Sequence, residues 1–128
     1  MEFAFPKNEK LKSKKLIDQL FREGKGVTSF PIKIIYLKTP LPKEVKFQTG
    51  VTVAKRNFKS AVHRNRIKRL LRESYRLNKP HIFNNMEGNF AFLILYLGKE
   101  MPTYLEIEQS MLSAFQKILN HVNNEKRP

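Results

Sequence analysis

The densest chemistry in the chain lies between residues 55 and 76, which read KRNFKSAVHRNRIKRLLRESYR and hold nine Lys or Arg against one acid, Glu73. Arginine forks onto phosphate oxygens in a planar, bidentate manner and stacks on bases, and lysine adds point charge. On a helix, at about 100° per residue, Arg64, Asn65, Lys68, Arg69, Arg72 and Arg76 spread over one side. His63, Ile67, Leu70, Leu71, Ser74 and Leu77 gather on the other. Arg66 sits on the border, with Glu73 as its expected neutralising neighbour. The series Arg64–Lys68–Arg72–Arg76 stacks like charges at i, i+4, which costs helix stability unless a polyanion offsets it. Asn65 can donate and accept at once, so the face can read more than charge. Such a face suits the backbone of a folded RNA, and it would also fit a DNA groove. A membrane-surface helix would need its apolar side for lipid, and Ile67, Leu70 and Leu71 are required to cover a sheet.

Residues that could carry catalysis are sparse. Asp18 is the single aspartate, and His63, His81 and His121 are scattered. No carboxylates recur at a spacing that would hold two metal ions, and no glycine-rich phosphate loop is present. His63 falls on the expected packed face, where a structural role outweighs a catalytic one. With no cysteine there are no disulfides, thiolate zinc sites or thiol nucleophiles. No catalytic centre and no metal site are therefore expected in the protein.

The elements that must position the basic helix follow from local patterning. Ser13 caps a helix over Lys14–Glu23 with Leu16, Ile17, Leu20 and Phe21 on one face, and Gly24 is expected to end it in the left-handed conformation. Phe30–Lys38 and Val45–Ala54 read as strands, expected to form an antiparallel pair, with a short additional strand over Lys25–Thr28. The basic helix should run from about Ser60 to Leu77 and stop before Pro80. Residues 78–88 read as a polar loop. The near-continuous apolar run Phe90–Leu97 predicts a strand buried on both faces. A capping box at Thr103–Glu106 opens a last helix to about Val122, its apolar face Leu105, Leu112, Phe115, Leu119 and Val122, flanked by Met111 and Ile118. The order is helix, strands, helix, strand, helix: an α+β chain folded as a small two-layer sandwich with a mixed four-stranded sheet. Its core is expected to include Leu20, Val51, Val53, Ile67, Leu70, Leu71, Leu93, Leu95, Phe115 and Leu119.

The length of 128 residues fits one domain, expected over 13–122, with a flexible basic arm at 1–12 carrying Phe3 and Phe5, and a frayed tail at 123–128. The formal net charge of +14 points to a polyanionic partner. The N-terminus lacks the pattern of a signal peptide, and the longest apolar run is too short to span a bilayer. A cytoplasmic protein without membrane attachment or obligate protein partner is expected.

The run RNRIKRLLRE, Arg64–Glu73, closely resembles the signature of the bacterial ribonuclease P protein component. TVAKRNFKSAV, Thr52–Val62, matches the strand end and turn before that signature, and LKSKKLIDQLFREG, Leu11–Gly24, resembles the family's first helix. The resemblance implies an accessory subunit of a ribonucleoprotein that hydrolyses one phosphodiester bond to remove the 5′ leader of precursor tRNA. A large RNA subunit carries the chemistry with Mg2+, and the protein binds that RNA and the leader. It also implies an α/β sandwich with a left-handed βαβ crossover, against the usual hand. The family's RNA-subunit contacts carry over to Arg64, Asn65 and Arg66, continued by Lys68, Arg69 and Arg72. Its leader cleft, between the first helix and the sheet, carries over to Ile17, where the family often has Phe, and to Phe21, with Tyr36 as a sheet-side contributor. Lys55 and Arg56 match the basic pair at the strand end, and Lys59 shares their turn. Phe21 has two readings, groove residue or core residue. On composition alone, a ribosomal or other structured-RNA-binding protein is the competing class.

Overall fold

A computed structural model describes residues 5–41, 45–83 and 86–125. Phe3, part of the proline-containing loop after the second strand (42–44), residues 84–85 of the expected polar loop and the end of the tail (126–128) lie outside the described residues. The order is α1 (Lys14–Glu23), β1 (Lys25–Ser29), β2 (Ile32–Lys38), β3 (Phe47–Val53), α2 (Ala61–Phe83), β4 (Phe90–Tyr96) and α3 (Tyr104–Glu125). The mixed four-stranded sheet and three helices follow the expected order.

β4 is the organising strand. The sheet order is β1-β2-β4-β3, with β4 antiparallel to β2 and parallel to β3. The expected direct pairing of β2 with β3 is therefore corrected: β4 lies between them. Its run FAFLILY has apolar side chains for both faces, so it takes an inner place, between β2 and β3, where both are covered. The parallel partners are joined through α2, forming a β3–α2–β4 crossover unit.

Alternation along the strands builds two cores. Ile32, Ile34 and Tyr36 of β2 join Phe47 and Val53 of β3, Phe92 and Ile94 of β4, and the inner faces of α2 and α3. On the opposite face Ile35 and Leu93 pack with Leu11 and Leu20, with Ile17 half-buried among them. The sheet thus has α2 and α3 on one side and α1 as a partial further layer on the other. Of the expected core, Leu20, Val53, Ile67, Leu71, Leu93, Phe115 and Leu119 are buried, and Val51, Leu70 and Leu95 are half-buried.

Four local expectations change. Gly24 is not left-handed; its φ of −70° and ψ of 158° are extended. A Cβ there would lie 2.5 Å from the Leu20 carbonyl oxygen and 2.7 Å from Ile35 Cγ2, so glycine is required by close approach of α1 to the sheet. α2 does not stop before Pro80 but carries it inside and ends at Phe83. That turn is held by Asn78 Nδ2, which donates to the Ser74 carbonyl at 2.8 Å and to Glu108 at 3.2 Å, and by the buried Ile82. The buried arc of α2 is rotated towards Tyr75 and Lys79, leaving His63 and Leu77 exposed. In α3, Leu105 and Leu112 are exposed, and the buried stripe is Ile107, Met111, Ala114, Phe115, Ile118, Leu119 and Val122.

Residues 5–12 line the outer edge of β3. Leu11 N–H donates to the Thr49 carbonyl at 3.0 Å, and Gln48 Nε2 donates to the Asn8 carbonyl at 3.1 Å. Phe5 packs on Tyr75 with ring centroids 5.3 Å apart. These contacts, with the ion pair of Glu9 and Lys79, explain the rotation of α2: its Tyr75 side has a cover that sequence periodicity does not reveal.

Candidate RNA interface

Ser60 starts α2. Its carbonyl accepts from Arg64 N–H at 3.1 Å and its hydroxyl from His63 N–H at 3.4 Å. Ile67, Leu71 and Tyr75 are wholly buried beneath the helix, which fixes its rotation. Asn65, Arg66, Arg69 and Arg72 are consequently exposed together, with Lys68 half-buried beside them.

Arg64 behaves differently. Its Nη1 donates to the carbonyls of Phe58, at 2.7 Å, and Lys59, at 2.9 Å. The guanidinium clamps the turn before the helix as well as adding positive charge. The expected neutralisation of Arg66 by Glu73 is also corrected: Glu73 pairs with Arg76, one turn on, with Arg76 Nε donating at 3.3 Å. That bond holds the Arg76 guanidinium above its ordinary pKa. Among the described residues, Arg66, Arg69 and Arg72 have no acidic partner.

The turn after β3 presents the other basic group. Asn57 and Phe58 N–H both donate to the Ala54 carbonyl, at 3.2 and 3.3 Å. Phe58 is buried against Tyr96, with ring centroids 6.1 Å apart, and Asn57 Nδ2 reaches the Gly98 carbonyl at 3.5 Å. Lys55, Arg56 and Lys59 stand exposed on this anchored turn.

On α1, Ile17 and Phe21 share a helix side but not an environment. Ile17 packs down onto the sheet, whereas Phe21 is 57% exposed in a shallow concavity with Lys15, Asp18 and Arg22. The core reading of Phe21 is excluded. Tyr36 is not brought to this side. It is 3% exposed in the α2/α3 core, with its hydroxyl 3.4 Å from His121 Nδ1. Its neighbour Ile35 faces α1 instead, as alternation along β2 requires. Sequence reasoning missed the row Lys33, Leu95 and Thr52, register partners across β2, β4 and β3 on the α1 face, all half-buried. The row lies at the end of β3 from which the basic turn departs. Strand alternation carried this signal, but only the correct strand order converts it into a surface.

Among the described residues, no three His, Asp or Glu side chains gather as a metal site. Among the same residues, no helix is long and apolar enough to cross a membrane.

The family model for ribonuclease P matches residues 5–119. The chain belongs to the ribonuclease P protein family. It is similar to the ribonuclease P protein component of Porphyromonas gingivalis, with 32% identity over 126 residues covering 94% of this chain and 90% of that protein. A similar protein component from Dictyoglomus thermophilum is 39% identical over 85 residues, covering 66% and 68% of the two chains. The solved ribonuclease P protein of Staphylococcus aureus superposes with a TM-score of 0.70 at 21% identity, covering 86% of this chain and 94% of that one. That of Thermotoga maritima gives 0.69 at 20% identity, with 85% and 96% covered. At those identities the structures establish the shared fold. As a ribonuclease P protein component, the chain is the non-catalytic subunit of a ribonucleoprotein endonuclease and works with the catalytic RNA subunit on precursor tRNA.

Proposed function

We propose that the chain divides its work between two surfaces of one RNA-binding domain spanning 13–122. Asn65, Arg66, Arg69 and Arg72 of α2, supported by Lys68 and by Arg64 at the helix start, dock on the RNA subunit. Phe21 and Ile17 of α1, with Lys55, Arg56 and Lys59 on the turn after β3, hold the single-stranded leader of the precursor. The observation that carries this reading is the exposure of Arg66, Arg69 and Arg72, with no acidic partner among the described residues, on a helix whose other side is anchored by the wholly buried Ile67, Leu71 and Tyr75. A cationic face of this kind is stabilised by phosphate. α1 lies on the other face of the sheet, so the leader has a surface of its own. Stacking on Phe21 and backbone contacts to the basic turn tolerate any base, which suits an enzyme that processes many tRNAs. The cytoplasm is the fitting location.

The deciding experiment reconstitutes the chain with its cognate RNA subunit and measures binding against salt and cleavage of precursor tRNA at low magnesium. Arg69→Ala should lower the slope of log K against log salt by about one, the value of one lost phosphate contact. An unchanged slope together with unchanged cleavage would remove α2 from the RNA-subunit interface.

A further inference from the structure

Beside the cationic face of α2 lies a concavity that charge alone does not explain. It is lined by Phe5 and Lys10 from the N-terminal segment and by Asn65, Arg69, Arg72, Glu73 and Arg76 from α2, the Glu73 carboxylate being paired with Arg76. Its volume of about 330 Å³ exceeds what a phosphate needs. The Phe5 ring is only partly buried. One side rests on Tyr75, tilted 54° at 5.3 Å between centroids, and Tyr75 is itself fully buried and cannot give way. Lys10 Nζ lies 5.7 Å from the Phe5 centroid, a cation held against the ring.

Resting on the assignment of α2 to the RNA subunit, we infer that this concavity takes one unstacked nucleotide of that RNA, its base stacked on Phe5 and its flanking phosphates held by Arg69 and Arg72. The chemistry of each group fits a nucleotide better than a bare phosphate. A phosphate needs cations only. An extruded base needs an aromatic platform, a neighbour able to donate and accept along its edge, and positive charge on either side of the sugar. Phe5, Asn65 and the arginine pair supply these in turn. On binding, Lys10 gives up the ring and moves to a phosphate. Arg76 stays with Glu73 and forms the wall. The inference makes the N-terminal segment part of the recognition surface as well as a cover for β3.

Three measurements on the reconstituted complex with its cognate RNA subunit test it. Ultraviolet irradiation of the unaltered complex should join Phe5 to a single base, located by mass spectrometry of the peptide–nucleotide product. The chain holds no tryptophan, so Phe5→Trp places one fluorophore at the site, and its emission should be quenched when the RNA subunit is added. Phe5→Leu should weaken RNA-subunit binding roughly tenfold, the scale of one lost base stack, with the salt slope unchanged. Absence of a cross-link at Phe5, together with unquenched emission and unaltered affinity in Phe5→Leu, overturns the inference. If Arg69→Ala still lowers the salt slope in that case, the docking of α2 stands without the nucleotide site. If Arg69→Ala is silent too, both fail together.

Discussion

Lys79 Nζ lies 2.5 Å from Glu9 Oε1, joining the last turns of α2 to the N-terminal segment across 70 positions of sequence. Lys79 is 4% exposed, a degree of burial that an ammonium tolerates only with polar partners. Glu9→Ala should therefore cost about 1–3 kcal/mol in chemical unfolding, because a buried charge loses a partner. Replacing both residues, Glu9→Gln with Lys79→Met, should cost less than Glu9→Ala. A double variant less stable than Glu9→Ala would show that the pair does not set the position of the segment.

Sequence alone treats Arg64 and Arg69 as equivalent cations, and the geometry separates them. Arg64→Ala removes two hydrogen bonds to the turn that carries Lys55, Arg56 and Lys59, and should lower stability by about 1–2 kcal/mol. Precursor binding should fall as the turn loosens, with a smaller change in the salt slope than Arg69→Ala gives. Thermal melts and salt titrations on both variants check this. A full loss of slope with an unchanged melt would make Arg64 a simple phosphate contact.

Phe21→Ala should leave stability within about 1 kcal/mol of the parent, since the ring is 57% exposed. Affinity for precursor tRNA should drop by about 1–3 kcal/mol, and affinity for mature tRNA should hold, as mature tRNA has no leader. Equal losses on both RNAs would move the contribution of Phe21 away from the leader.

Gly24→Ala tests the seat of α1. The added methyl meets the Leu20 carbonyl oxygen at 2.5 Å, and backbone cannot rotate aside as a side chain can. A loss of about 1–3 kcal/mol is expected, with weaker precursor binding as α1 lifts from Ile35. A melt and precursor affinity equal to the parent would show that the close approach is dispensable.

What the sequence revealed was local. Ser13 accepts from Leu16 N–H and Thr103 from Glu106 N–H, both at 3.2 Å, as the capping patterns require. The burial of β4 on both faces followed from its unbroken apolar run. The errors came from partners distant in sequence. β2 and β3 look like a hairpin until β4 is placed between them. His63 looks packed until Phe5 and Glu9 draw α2 over towards Tyr75 and Lys79. Tyr36 looked like a cleft residue because a one-position shift in strand register moves a side chain to the opposite face. The cationic face was readable because exposure on α2 depends mainly on helical period; the Lys33–Leu95–Thr52 row was not, because it spans three strands.

The central place of β4 bears on when this protein becomes competent during its own synthesis. β2 and β3 emerge from the ribosome with no shared neighbour, and the basic helix follows them before Phe90–Tyr96 exists to complete the sheet. A nascent chain ending before residue 90 lacks both β4 and α3, which together supply much of the floor on which α2 rests. Its arginines are already made, but nothing yet holds them on one side of a rotation-locked helix. Specific RNA recognition therefore awaits the final third of translation, and a truncated product would carry the charge of the finished protein without its selectivity.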